Sequence, residues 1–167
     1  MRALIALYPL ESVVVWSPTA ARCARLAARI SEEEGLPVSA AASAAEAVAG
    51  ADLVVCCTSA ATPVVHARML GAGDVTVAAI GAYTPQMVEV DPSVFALAGT
   101  VYVDDLTGAL HEAGDVLAAL RSGAVAADAV SPIGGDVRRA RVALFKSVGN
   151  AAQDAAVAGA IAGPPHE

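Results

Sequence analysis

Two kinds of segment alternate along the chain: short runs of consecutive apolar residues, and longer stretches in which apolar residues recur three and four positions apart. The first run, residues 13–16, is β-branched and aromatic and predicts a strand. It feeds into SPTAARCARLAARISEEEG, where Ser17 and Pro18 have the form of an N-cap followed by proline at the first helical position. Cys23, Leu26, Ala27 and Ile30 then share one helical face. Gly35 and Pro37 end that helix, and Val38 opens a short strand or turn. SAAE at residues 43–46 is a capping box before a short helix that Gly50 stops. The apolar run ADLVVCCTS predicts a strand buried on both faces, as parallel sheets require. Two further runs follow, DVTVAAIGAYTP after a polar turn at 71–74 and GTVYVDD after a helix opened by Asp91 and Pro92. LTGALHEAGDVLAALRSG sets Leu110, Ala113, Leu117 and Leu120 on one face of a predicted helix. Strand and helix alternate without consecutive hairpins, so the fold class is α/β, a mainly parallel sheet with flanking helices.

Composition narrows the function classes. A chain of 167 residues has room for one domain with its own core. The net charge of -7, with 10 Lys+Arg against 17 Asp+Glu and no long basic run, argues against binding a phosphate backbone, so nucleic acid is not an expected partner. A mean hydropathy of +0.60 reflects abundant alanine. The apolar runs are far shorter than the roughly 20 residues of a spanning helix, and no membrane partner is expected. The amino-terminal segment lacks the layout of a secretory signal. Cys23, Cys56 and Cys57 lack metal-ligand spacing, and a bridge between the adjacent pair would be strained; they read as buried thiols of a cytoplasmic protein. The tail AGPPHE is expected to fray.

In an open parallel sheet, ligands bind where the strands end. The positions to inspect are therefore 17–19, 58–61, 81–84 and 104–106. Small and hydroxylated residues dominate the first three sets and allow close approach of a cofactor with donors to ribose and phosphate oxygens. The same residues serve equally as a helix cap (Ser17), turn formers (Thr58, Ser59) and a tight-turn residue (Gly81), and the spacing leaves both readings open. His66 and His111 lie away from strand ends and read as surface or helix-packing residues. Glu112 and Asp115, three apart on the predicted helix, read as solvated or cap-linked acids rather than cation ligands. Lys146 either touches a cofactor phosphate or solvates a helix start.

The segments VVVWSPTAARCARLA, EAVAGADLVVCCTSAATPVV, AAIGAYTPQMVEVDPSVF, VYVDDLTGALHEAGD and LFKSVGNAAQD, in that order, resemble the ornithine cyclodeaminase and mu-crystallin family over about residues 3 to 160. The strand segments are weakly specific; FKSVG with IGAYTP and HEAGD is the specific part. The resemblance implies an incomplete Rossmann-like fold, with residues 1–140 as the NAD(P)-binding domain and 141–167 as a connecting helix and tail. It implies NAD or NADP as cofactor, a small imino or amino acid as substrate, and a homodimer or a complementing chain as partner. The residues it points to for cofactor binding are Ser17, Thr19, Arg22, Thr58, Ser59, Gly81, Ala82, Tyr83, Ser147 and Val148, the last two near the nicotinamide; no catalytic residue is assigned. The helix toward the family's dimerisation domain is expected to begin within 146–149.

Departures from the family pattern matter as much. No G-x-G-x-x-G or G-x-G-x-x-A occurs in the sequence, although that turn presents amides to the pyrophosphate. MRALIALYP resembles the first helix after it, as if Met1 lay inside a longer frame. The strand that normally lies between those near Val13 and Asp52 is then missing, which leaves two sheet edges to be paired together, covered, or met by another chain. The chain alone is expected to be inactive and to bind dinucleotide weakly. Pro18 stands where many relatives have an arginine, which makes Arg22 the nearest basic candidate and leaves NAD against NADP open. Tyr83 stands where cyclodeaminases keep an acid. A group with a reference pKa of about 10 poorly replaces a carboxylate that must take and return protons. Reduction of cyclic ketimine acids such as Δ1-pyrroline-2-carboxylate is favoured on that ground; the alternatives are ornithine cyclodeamination and a non-catalytic binding or interaction module.

Overall fold

The computed structural model describes residues 2–134 and 140–163. The tail expected to fray lies outside the described residues from position 164 onward. The chain divides into two compact units, residues up to 51 with 69–71, and residues 52–68 with 72 onward.

The first unit carries α1 (Arg2–Leu7), β1 (Val13–Val15), α2 (Ala20–Glu34), β2 (Val38–Ala40) and α3 (Ala44–Val48). β1 and β2 pair in parallel, Val13 opposite Val38. α2 buries Cys23, Ala27 and Ile30, while Leu26, expected on the same face, is exposed. Its cap also differs from expectation: Thr19 holds the N-cap position without a side-chain bond, and the helix starts at Ala20. Ser17 Oγ instead accepts from Thr19 N–H at 3.3 Å, two residues before the helix. At the other end Gly35, at φ 64°, takes the left-handed conformation that closes the helix, and its N–H reaches Ser31 O. The capping box forms, with Glu46 N–H on Ser43 Oγ at 3.1 Å and Glu46 Oε2 accepting from Ala42 N–H at 2.8 Å.

The second unit contains β3 (Leu53–Cys56), β4 (Val75–Ala79), α4 (Pro92–Ala98), β5 (Val101–Val103), α5 (Leu106–Glu112), α6 (Gly114–Ser122), β6 (Val130–Pro132), β7 (Val142–Lys146) and α7 (Ala151–Ala162). Its sheet has the order β3-β4-β7-β5-β6, every pair parallel. β4, β7 and β5 form the interior and carry the core, with Val77, Ala79, Val101, Val103 and Leu144 fully buried. α4 lies against β7 and α6.

Four expectations change here. Residues 142–146, read as part of the connecting segment, are the middle strand of the sheet, and the following helix begins only at Ala151, capped by Asn150 Oδ1 on Gln153 N–H at 3.1 Å. β3 is not buried on both faces, because Val55 is 39% exposed and β4 is its one partner among the described strands. The helix expected across 106–123 breaks at Ala113, whose ψ of 103° is extended. Its buried side chains are Ala109, Ala113, Asp115, Val116 and Ala119, and Leu110, Leu117 and Leu120 are only half-buried. Close packing explains the break, since a Cβ at Gly114 would overlap Met87 O and press on Thr84 O and Pro85 O at 2.9 Å. Finally, Cys57 is exposed; only Cys23 and Cys56 are buried.

Candidate active site at the carboxyl edge of the sheet

Register brings the strand ends together. Cys56 is opposite Ala79, Ala79 opposite Lys146, and Val103 opposite Lys146, so β3, β4, β7 and β5 all end on one line. The residues that follow leave the sheet along one edge: Thr58 and Ser59, Gly81 to Tyr83, Asp104, and Ser147 with Val148. Seven of the ten candidate cofactor residues therefore lie along this edge. Ser17, Thr19 and Arg22 follow β1 in the first unit, Ser17 half-buried and the other two exposed.

A buried carboxylate joins the first two turns. Glu89 is fully buried. Its Oε1 accepts from Thr58 N–H, and its Oε2 from Gly81 N–H at 2.8 Å and Ala82 N–H at 3.0 Å. The approach is so close that Gly81 cannot carry a side chain: a Cβ would overlap the Thr58 backbone and reach Glu89 Oε1 at 2.6 Å. The Glu89 segment also pairs along the loop after β3, with Val64 N–H on Glu89 O at 2.8 Å and Val88 N–H on Ala60 O at 2.8 Å.

A second buried acid continues the chain of contacts. Asp115, in the first turn of α6, accepts at Oδ1 from Glu89 N–H at 2.6 Å and Val90 N–H at 2.9 Å. Its Oδ2 stands 2.7 Å from Lys146 Nζ, both side chains fully buried. This close ionic contact is the partnership of those two atoms, which make no further hydrogen bond among the described residues. Lys146 thus meets neither expectation: it is the last residue of a strand, buried, and bound to an internal acid. Glu112 and Asp115 likewise separate onto different helices, Glu112 exposed and Asp115 enclosed. The described residues contain no cluster fit to hold a metal.

The turn after β7 is held by Asp104. It accepts from Ser147 Oγ at 2.5 Å, Val148 N–H at 3.1 Å, Gly149 N–H at 2.9 Å and Gln153 Nε2 at 3.2 Å. Burial pushes the Asp104 carboxyl up, but these four donors outweigh it and hold it below the usual carboxylate range. Cys56, beneath the Thr58 turn, is pushed up to about 12 by burial and then by the charges of Glu89 and Asp115. His66 and His111 stay outside this edge: His66 Nδ1 is 3.2 Å from Asp91, and His111 Nδ1 is 2.8 Å from Thr107 O within its own helix.

Residues 1–163 match the sequence profile of the ornithine cyclodeaminase/mu-crystallin family. The chain belongs to that family. It is 32% identical over 165 residues to a Δ1-pyrroline-2-carboxylate reductase of Bacillus cereus, across 93% of this chain and 50% of that protein. The iminosuccinate reductase of Paracoccus denitrificans, solved with NAD+, superposes with a TM-score of 0.85 at 28% identity, over 95% of this chain and 50% of its own. The Thermococcus litoralis Δ1-pyrroline-2-carboxylate reductase, solved with NADH and L-proline, has the same fold, with a TM-score of 0.86 at 23% identity over 94% of this chain and 51% of its own. This chain therefore spans about half the length of the relatives it matches. Within this family member, Asp104 sits at a strand end already singled out by position. Glu89 was not singled out at all; its signal was an acid flanked by Val88 and Val90 where the pattern calls for burial.

Proposed function

We propose that this chain is the nicotinamide-binding part of an NAD(P)-dependent reductase of cyclic ketimine acids. The observation that carries the reading is the common line of four strand ends, which brings Thr58, Tyr83, Ser147 and Val148 to one edge. Relatives named as pyrroline-carboxylate and iminosuccinate reductases support it. The residues suit the ring and ribose end of a dinucleotide. Tyr83 offers an exposed aromatic surface, 56% accessible, and Ser59 an exposed hydroxyl. When bound, the cofactor supplies hydride to a C=N carbon. A protonated imine is already electrophilic, so the protein's part is chiefly to position the reactants and exclude water. Among the residues of the first unit, exposed Arg22 is the basic candidate on which NAD against NADP turns. Association with a second copy or another polypeptide is part of the reading, given the unpaired edge of β3 among the described strands.

The experiment is a chimera that joins this chain to the remaining half of the Bacillus cereus relative. It should oxidise NAD(P)H with Δ1-pyrroline-2-carboxylate and release little ammonia from ornithine. Tyr83→Asp should depress imine reduction, because a carboxylate replaces an apolar surface beside the ring. Ornithine turnover faster than imine reduction would establish the cyclodeaminase alternative, and no turnover of either, with the chimera folded, the non-catalytic one.

A further inference from the structure

Backbone N–H groups at the ends of parallel strands are ordinarily the donors that receive anionic ligand groups. In this edge those of Thr58, Gly81 and Ala82 are already taken, all by the one carboxylate of Glu89. We propose that Glu89 is a positioning and specificity residue: it fixes the turns after β3 and β4 and withdraws their amides from any bound phosphate, leaving the edge to an uncharged or cationic ring. The inference rests on the nicotinamide reading above.

Three features carry it. Both oxygens of Glu89 are used, one by Thr58 and the other by Gly81 and Ala82, so a single side chain sets the spacing of two turns that belong to different strands. Glu89 is itself fixed from behind, because its own N–H is held by Asp115, which is held in turn by Lys146 at the end of β7. The turns at β3, β4 and β7 are thereby joined through buried groups, which an exposed salt bridge could not do with comparable rigidity. Finally, half-buried Asp104 lies on this edge, and Glu89 and Asp115 place two buried carboxylates behind it against the ammonium of Lys146, among the described residues. Such buried charges are weakly screened, and they disfavour a phosphate while tolerating an oxidised nicotinamide or a protonated imine.

The test uses the full chain in solution by amide NMR, with nicotinamide mononucleotide and inorganic phosphate as probes. The Thr58, Gly81 and Ala82 amides should exchange about a hundredfold more slowly than unstructured ones. They should stay protected when the mononucleotide is saturating and should not shift with phosphate, while Tyr83, Ser147 and Val148 respond to the mononucleotide. Glu89→Gln places an NH2 against a backbone N–H; it should weaken the mononucleotide about tenfold, with amide shifts in the interior of the sheet unchanged. Unprotected amides, a phosphate response at those three positions, or unaltered affinity in a folded Glu89→Gln variant would each overturn the proposal and leave the nicotinamide reading standing. Should the variant not fold, the exchange and phosphate measurements on the unaltered chain decide. A mononucleotide that perturbs nothing at millimolar concentration would sink the nicotinamide reading, and this inference with it.

Discussion

Gly81 occupies the most constrained backbone position at the candidate site. Gly81→Ala would force a methyl into the Thr58 backbone, and the expected cost is about 3 kcal/mol or more, read as a lowered denaturation midpoint. The cysteines make a contrasting prediction. Cys57 is exposed, and the Cys56 thiol is buried with its pKa pushed up to about 12, so alkylation of the native protein at pH 8 should label Cys57 and spare Cys23 and Cys56. Mass mapping of native against denatured protein reads this directly. Asp104 governs a pH dependence. Its folded pKa lies below its unfolded value, so its contribution is complete above about pH 4 and is lost as the pH falls through the lower folded value. Asp104→Asn should flatten the acid limb of stability, leaving a residual slope from Asp91, whose carboxyl is held down by Ser93 and His66 against its burial. At this scale the sequence was legible where chemistry is local. The Ser43 cap and the Gly35 stop depend on neighbours three or four positions away, and they formed. The Glu89 clasp spans 31 residues to Thr58, and no local pattern specifies such a partner.

Elements follow their sequence period where it is unambiguous and depart from it where tertiary packing overrides it. α4 follows its Asp91–Pro92 cap signal, and α2 follows its pattern only in part, burying Cys23, Ala27 and Ile30 while Leu26 is exposed and Thr19 rather than Ser17 is the N-cap. The α5–α6 break departs from the pattern, because leucine spacing suggested one continuous helix while Gly114 and Asp115 are committed to the carbonyls and amides of the 84–90 segment. β7 was hidden for a related reason: five residues that end in lysine look like a helix approach until the lysine has a buried acid to meet. Lys146→Met leaves Asp115 without its counter-charge and should cost about 3–5 kcal/mol, whereas Lys146→Met with Asp115→Asn should recover part of the loss. Denaturant titration of the two single variants and the double would measure the coupling; simple additivity would mean that the ion pair contributes nothing of its own.

For the whole molecule, the parallel order of the second unit matters more than any single residue, because it brings four strand ends to one line and leaves β3 with one partner among the described strands. An apolar edge strand of this kind favours association with another chain. Sedimentation at tens of micromolar should show species larger than the monomer, and a clean monomer that binds no apolar dye would remove that expectation. α/β class and parallel sheet were legible from the alternation of runs, and the family from FKSVG, IGAYTP and HEAGD. The separation into two units was not, because it depends on which strands find partners rather than on which residues form strands. In the proposed reading the edge near Thr58, Tyr83 and Val148 receives the nicotinamide ring. The most direct measurement is the set of transferred and intermolecular NOEs between NADH and the full chain. Contacts are expected from the nicotinamide protons to the Thr58 methyl, the Tyr83 ring and the Val148 methyls; adenine protons at those three residues, with the nicotinamide protons silent, would contradict the nicotinamide reading.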